Sequence, residues 1–314
     1  MKVRFWGVRG SIPTPVTPAQ IQAKITAAVQ RITQNDIKTP DARERFLANL
    51  PSWIFGTAGG NTSCVQLTLQ DGTEILLDAG SGLREYGKKG RKPSDKHYHL
   101  FLSHFHWDHI QGIPFFDSAY NPESVFDIYS GFDETEKHLR AQQTTPFFPP
   151  SGGFDSLTKK MTFHKTEPLK PFTIGTATIN SCIMNHPGSS YSYSFEENGK
   201  RFVYATDVEL SHSDFEFTEE KEAVFKDADV LILDSQYTVE ESYKKVNWGH
   251  SAFCYAVDFA VKWGVKKLFL FHHEPTYDDK KLDSILTAAR WYAKYIVHSD
   301  LKVFLATEGT EIEI

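Results

Sequence analysis

The segment Ser103-His104-Phe105-His106-Trp107-Asp108-His109 puts three histidines and a carboxylate within six residues. Imidazole and carboxylate are the usual ligands of zinc, manganese and iron, so the cluster reads as part of a metal centre. In an extended stretch, side chains two apart share a face, so His104 and His106 can hold one ion together. A turn after Trp107 lets Asp108 and His109 reach a second ion. The flanking residues Phe101, Leu102 and Ile110 are apolar, which sets the cluster at the end of a buried strand and not on a polar surface loop.

Two ions need more than four ligands, and further donors are expected at other strand ends. Three places qualify. Asn185-His186-Pro187-Gly188 follows the run Ala177–Met184, Ala205-Thr206-Asp207 ends another run, and Phe271-His272-His273-Glu274-Pro275 closes a third. Alone, His186 reads as a structural histidine and Asp207 as a turn residue; the first motif gives both a reason to converge. The other histidines lack such company. His97 and His99 alternate in a strand and are expected on its solvent side, and His138, His164, His212 and His298 have no partners in sequence.

The elements that must position these residues are legible in outline. Cys64–Leu69 and Glu74–Leu77 flank Asp71-Gly72, and Tyr191–Phe195 and Arg201–Ala205 flank Asn198-Gly199; both read as hairpins. His99–Ser103, Val230–Leu233, Leu268–Phe271 and Val303–Leu305 read as buried strands. Ser251–Trp263 carries an apolar face and stops at Gly264, and Asp279–Val297 is a second helical pattern. Strands alternating with helices indicate an α/β layered fold. Residues 16–56 interrupt it with helices. Ile21, Ile25, Val29 and Ile32 recur at helical spacing within Pro18–Gln34. Thr39-Pro40-Asp41 is a helix start that runs to about Leu50. This insert reads as a surface helical pair or as a lid over a pocket. Residues 144–156 are loop-like.

At 314 residues, with 40% hydrophobic and 24% charged, the chain is of ordinary globular composition and needs no disulfide staples. It is read as a single domain over 1–314. The formal net charge of −6 supplies no basic field for gathering nucleic acid, so no stable nucleic-acid complex is expected. Cys64, Cys182 and Cys254 form no C-x-x-C pair, which points to a reducing compartment and against a cysteine zinc site. No apolar signal core opens the chain and no run of 18 apolar residues occurs, so a cytoplasmic protein without a membrane partner is expected.

The order H-x-H-x-D-H, then His, then Asp, then His resembles the metallo-β-lactamase superfamily. Leu76-Leu77-Asp78-Ala79-Gly80 resembles its first motif. Residues 103–109 resemble the second, His186 the third, Asp207 the fourth and His272 the fifth. Within that superfamily the chain is similar to a phosphodiesterase branch related to ribonuclease Z and to cyclic-phosphate phosphodiesterases. That likeness rests on Gly7-Val-Arg-Gly-Ser-Ile-Pro-Thr-Pro15, Gly59-Gly60-Asn61-Thr62-Ser63, Leu233-Asp234-Ser235-Gln236-Tyr237 and Trp248-Gly249-His250-Ser251. The resemblance implies a four-layer αββα sandwich with the helical insert near its N-terminus. It implies His104, His106 and His186 on one metal, Asp108, His109 and His272 on the other, and Asp207 between them. His272 and not His273 aligns, being the first histidine after its strand. Asp78 is implied as an acid behind the ligands, and His250 with Asp234 as a pair near the scissile phosphate.

The expected function is a binuclear metal-dependent hydrolase. It would cleave a small or cyclic phosphodiester, such as a cyclic nucleotide, by attack of a metal-bridging hydroxide. Zinc, manganese and iron all suit the ligands, and a homodimer is compatible with the sequence. The alternatives are an RNA-processing nuclease of the ribonuclease Z type, a lactone or thioester hydrolase on the same metals, and a non-catalytic sensor.

Overall fold

The computed structural model describes residues 1–149 and 153–314; residues 150–152 of the expected loop lie outside the described residues. Two seven-stranded sheets face each other. The first is built from β1 (Lys2–Gly7), β2 (Cys64–Thr68), β3 (Glu74–Leu77), β4 (His97–Phe101), β5 (Val125–Ser130) and β6 (Met161–Lys165). The second contains β7 (Phe172–Ile174), β8 (Ala177–Met184), β9 (Ser190–Glu197), β10 (Lys200–Ala205), β11 (Val230–Asp234), β12 (Lys267–Phe271) and β13 (Lys302–Leu305). The chain then returns to the first sheet as β14 (Glu311–Glu313), so the orders are β14-β1-β2-β3-β4-β5-β6 and β13-β12-β11-β10-β9-β8-β7.

Apolar residues decide the layering. Phe5, Leu67, Phe101, Tyr193, Phe195, Ile232 and Phe271 fill the space between the sheets. Alternate residues of the second sheet, such as Val203, Leu231 and Leu268, face outward onto the helices Phe253–Lys262 and Asp279–Tyr295. Leu76, Leu100 and Ile128 of the first sheet likewise meet Leu83 and Tyr86 of the helix Gly82–Lys89 and Leu139 of Thr135–Gln142. A strand apolar on both faces must be covered twice. The result is the expected four-layer αββα sandwich.

The hairpin at Asn198-Gly199 closes with φ of 52° and 71°, the two left-handed residues that a two-residue turn requires. Thr39 caps the helix Pro40–Ala48 through Ala42 N at 3.1 Å, although this helix ends before Leu50. The first insert helix covers only Pro18–Val29, and Ile21, Ile25, Val29 and Ile32 are exposed. The insert is held by Lys24 instead. Its ammonium reaches Trp53 O at 2.5 Å, Gly56 O at 2.6 Å and Asp279 Oδ2 at 2.6 Å.

β3 and β4 are parallel, as are β10, β11 and β12. β8 runs with β10, because both are antiparallel to β9. Within each sheet these strands deliver their C-terminal ends to one side, and the donors that follow them meet across the two sheets at a single edge, where α/β sheets gather their ligand-binding residues.

Candidate metal centre

That edge collects the residues singled out in the sequence. Ser103–His109 follows β4, and a helical turn at Trp107–Ile110 swings Asp108 and His109 away from His104 and His106. Asp78 follows β3, His186 follows β8, Asp207 follows β10, Asp234 ends β11 and His272 follows β12. Two four-donor groups take in the expected ligands: His104, His106, His186 and Asp207 form the first, and Asp108, His109, Asp207 and His272 the second; a third, Asp207, Asp234, His250 and His272, overlaps the second. Asp207 joins the first two, with Oδ2 toward the first and Oδ1 toward the second.

The spacing within the second group is that of a coordination shell. His109 Nε2 lies 3.2 Å from Asp108 Oδ2 and 3.2 Å from Asp207 Oδ1. His272 Nε2 lies 3.0 Å and 3.2 Å from the same two oxygens, and 3.3 Å from His109 Nε2. Donors bound tetrahedrally at about 2.0–2.2 Å stand roughly 3.3–3.6 Å apart. In the first group His106 Nδ1 and His186 Nε2 are 3.0 Å apart. His104 Nε2, buried and without a hydrogen-bond partner, points to Asp207 Oδ2 at 3.5 Å.

The outward nitrogens explain which way the lone pairs face. His109 Nδ1–H donates to Asp78 Oδ2 at 2.7 Å, and His186 Nδ1–H donates to the Gly249 carbonyl at 2.9 Å. His272 Nδ1–H donates to Gln236 Oε1 at 2.9 Å. With Nδ1 engaged in this way, each ring turns its Nε2 inward, the orientation seen in metal-binding histidines. His109 Nε2 and His272 Nε2 face each other at 3.3 Å, the spacing of two donors on one cation.

Charge makes the same demand. Asp78, Asp108, Asp207 and Asp234 are buried, and among the described residues they pair with histidines and with no lysine or arginine. Burying carboxylates without positive charge is costly. Burial disfavours the Asp207 anion, yet the rings of His109, His272 and His104 hold this carboxyl well below the usual range. Burial lowers His109, but Asp207, Asp108 and Asp78 outweigh it and hold the ring well above its ordinary value. Burial, aided by His109, pushes His104 well below its own. The donor set thus fits two divalent cations.

Asp78 is completely saturated. It accepts from Ser103 N and Ser103 Oγ, both at 2.8 Å, from His109, and from the Tyr204 hydroxyl at 2.7 Å. Beside the second group, Asp234 Oδ2 accepts His250 Nδ1–H at 2.7 Å while Oδ1 accepts Ser251 N at 2.9 Å. The His250 ring stacks on His272, with centroids 4.8 Å apart. Burial would lower the His250 pKa, but Asp234 pulls it up to about 9.

His273 turns away, its Nε2–H donating to Ala306 O at 2.8 Å. Contrary to expectation, His97 and His99 are not simply solvent-facing, and His164 does have a partner: all three surround Asp127. Sequence reasoning missed Tyr204, Ser103, Gln236 and Gly249 as holders of the donors. Gln236 and Gly249 lie inside motifs already singled out; Tyr204 gave no signal, being one aromatic among many. A cavity of about 550 Å³, lined by Trp53, Phe55, Leu286 and Phe304 among others, contains none of these donors. The site is identified by its chemistry, not by concavity.

Residues 73–273 match the Beta-lactamase superfamily domain. A ribonuclease Z of Thermoplasma volcanium is 22% identical over 298 residues, covering 74% of this chain and 90% of that protein. The metallo-beta-lactamase fold protein YhfI from Bacillus subtilis superposes with a TM-score of 0.64 at 19% identity, covering 100% of this chain and 98% of that one. A diphosphatase of the PhnP family gives a TM-score of 0.63 at 17% identity, covering 100% and 97%. No helix among the described residues is long and apolar enough to cross a membrane. With its matched segment spanning both donor groups, the chain belongs to the beta-lactamase superfamily.

Proposed function

We propose that this protein is a binuclear metal-dependent phosphodiesterase acting on a small or cyclic phosphodiester. The observation that carries the reading is the pair of donor groups joined through Asp207, with the His250–Asp234 pair stacked beside them. His104, His106 and His186 would hold one ion, Asp108, His109 and His272 the other, and Asp207 both. When bound, two divalent ions activate water at neutral pH and neutralise the phosphate oxygens.

The chain's own residues do the rest. Asp78 fixes the His109 ring through Nδ1–H and so aims Nε2. Asp234 fixes His250 through Nδ1, leaving Nε2 to donate a hydrogen bond to the phosphate or a proton to the departing oxygen. Asp108 Oδ2 also accepts Ser11 N at 2.8 Å, which ties the loop after β1 to the donor cluster. A proton donor near the ions suits an alkoxide leaving group, and the matches to a ribonuclease Z and a diphosphatase support a phosphate substrate.

Trimming of RNA ends is the second reading, favoured by the ribonuclease Z match. The net charge of −6 argues against it, because an RNA backbone is bound largely by lysine and arginine. The test is a panel on the zinc- or manganese-loaded protein: cyclic nucleotides, a cyclic ribose phosphate, an aryl phosphodiester, a precursor transfer RNA, a lactone and a thioester. Turnover of the small phosphodiesters at rates above the other classes is expected. Selective cleavage of the RNA would favour the second reading, and turnover of the lactone or thioester alone would overturn both.

A further inference from the structure

A second histidine–carboxylate cluster sits at the opposite edge of the same sheet. His97 and His99 lie on β4, Asp127 on β5 and His164 on β6, and His99 is in register with Asp127 across the pair. His97 opens the strand whose far end leads to His104. Seven residues of extended chain at about 3.3 Å each separate the two by roughly 20 Å.

We propose that His97, His99 and Asp127 form a separate mononuclear site for a divalent transition-metal ion such as zinc. One ligand atom from each lies within 4.8 Å of the others. The His97 and His99 rings stand 4.5 Å apart, both turned toward Asp127 Oδ2, at 2.6 Å from His97 Nε2 and 4.0 Å from His99 Nδ1. His164 Nε2–H donates to the other oxygen, Asp127 Oδ1, at 2.7 Å, and so fixes the carboxylate plane. A hydrogen-bonded carboxylate behind which a third imidazole stands is the arrangement that orients metal ligands.

A plain hydrogen-bond network explains His97, Asp127 and His164, but it leaves His99 unexplained. His99 Nδ1 is buried with no hydrogen-bond partner, and the Asp127 oxygen it faces is already engaged by His97. A buried polar nitrogen without a partner costs on the order of 1–3 kcal/mol. An ion replacing the proton between His97 Nε2 and Asp127 Oδ2 would spread that short contact and give His99 Nδ1 a bond. Two imidazoles and one carboxylate select zinc or a similar ion over calcium or magnesium and leave a position for water. His97 is one-third exposed, so an ion can enter from solvent.

The test compares bound zinc in the wild type, His99→Gln, His97→Gln and, as a control, His212→Gln, whose side chain is 96% exposed and stands outside every donor group. Each protein is saturated with zinc, gel-filtered and analysed for metal, with circular dichroism to check folding. About one equivalent fewer is expected in both cluster variants than in wild type and the His212 variant, with phosphodiester turnover unchanged. Because the readout is a difference, it stands whatever the other donor groups hold. Equal zinc in wild type and a folded cluster variant would overturn the proposal, as would equal loss in the His212 variant. If His99→Gln fails to fold, the more exposed His97→Gln decides.

Discussion

Asp78, Asp207 and His272 share an uncommon backbone: φ of 58°, 53° and 60°, left-handed values without a glycine. Such residues cost of order 1–3 kcal/mol each and cluster at functional sites. Here each follows a strand end, and the turn sends its side chain across the sheet edge into the donor cluster. Asp207 bears the greatest load, since its two oxygens face different groups. Asp207→Asn keeps the shape and removes the charge, and metal analysis of this variant should show at least one ion lost or weakened, with activity lost alongside. Asp78→Asn should leave the fold standing but lower metal affinity roughly 10–100-fold in a chelator competition, the usual effect of losing the partner behind a ligand histidine. His250→Ala should behave differently again. Metal content should be unchanged, while phosphodiester turnover falls roughly 10²–10⁴-fold, the range for a lost general acid. Normal turnover in that variant would reduce His250 to a residue at the entry of a helix.

Among the elements, the insert is where sequence pattern and structure part. Its apolar spacing resembles a buried helix face, yet Ile21, Ile25 and Val29 are exposed and no residue of that helix is buried. Periodicity reports a helix; it does not report whether a partner surface exists. The anchor, Lys24, is a single cation among the apolar residues, and its acceptors at Trp53, Gly56 and Asp279 are too far along the chain to be read from spacing. Lys24→Met should cost about 1.5–3 kcal/mol in urea unfolding, the range for hydrogen bonds to a charged group. It should also speed proteolysis within residues 16–56. The donor residues were legible for the opposite reason: each follows a strand, and strand ends are marked by a change from apolar to polar residues. The two-residue turn at Asn198-Gly199 was legible because its backbone demands those residues. The edge strands β6, β7 and β14 escaped notice, since they are short and only partly buried. The Asp127 cluster escaped because its four residues meet only through cross-strand register.

At the scale of the molecule, the two sheets stand as a scaffold that delivers strand ends from both sides to one edge. The first sheet brings Asp78 and the Ser103–His109 segment; the second brings His186, Asp207, Asp234, His250 and His272. Ions bound there would bridge the sheets, so metal should stabilise the whole fold. At free metal 100-fold above Kd the gain is about 2.7 kcal/mol. For a chain of 314 residues that is roughly 4 °C in melting temperature. Thermal denaturation with and without chelator should show the difference, and Asp207→Asn should shrink it. The most direct measurement of the central claim is anomalous X-ray scattering at the zinc edge from crystals of the zinc-loaded protein. Two peaks about 3.5–4 Å apart are expected at this edge of the sandwich, one on each side of the Asp207 carboxylate. A single peak there, none, or a pair that Asp207 does not join would contradict the account.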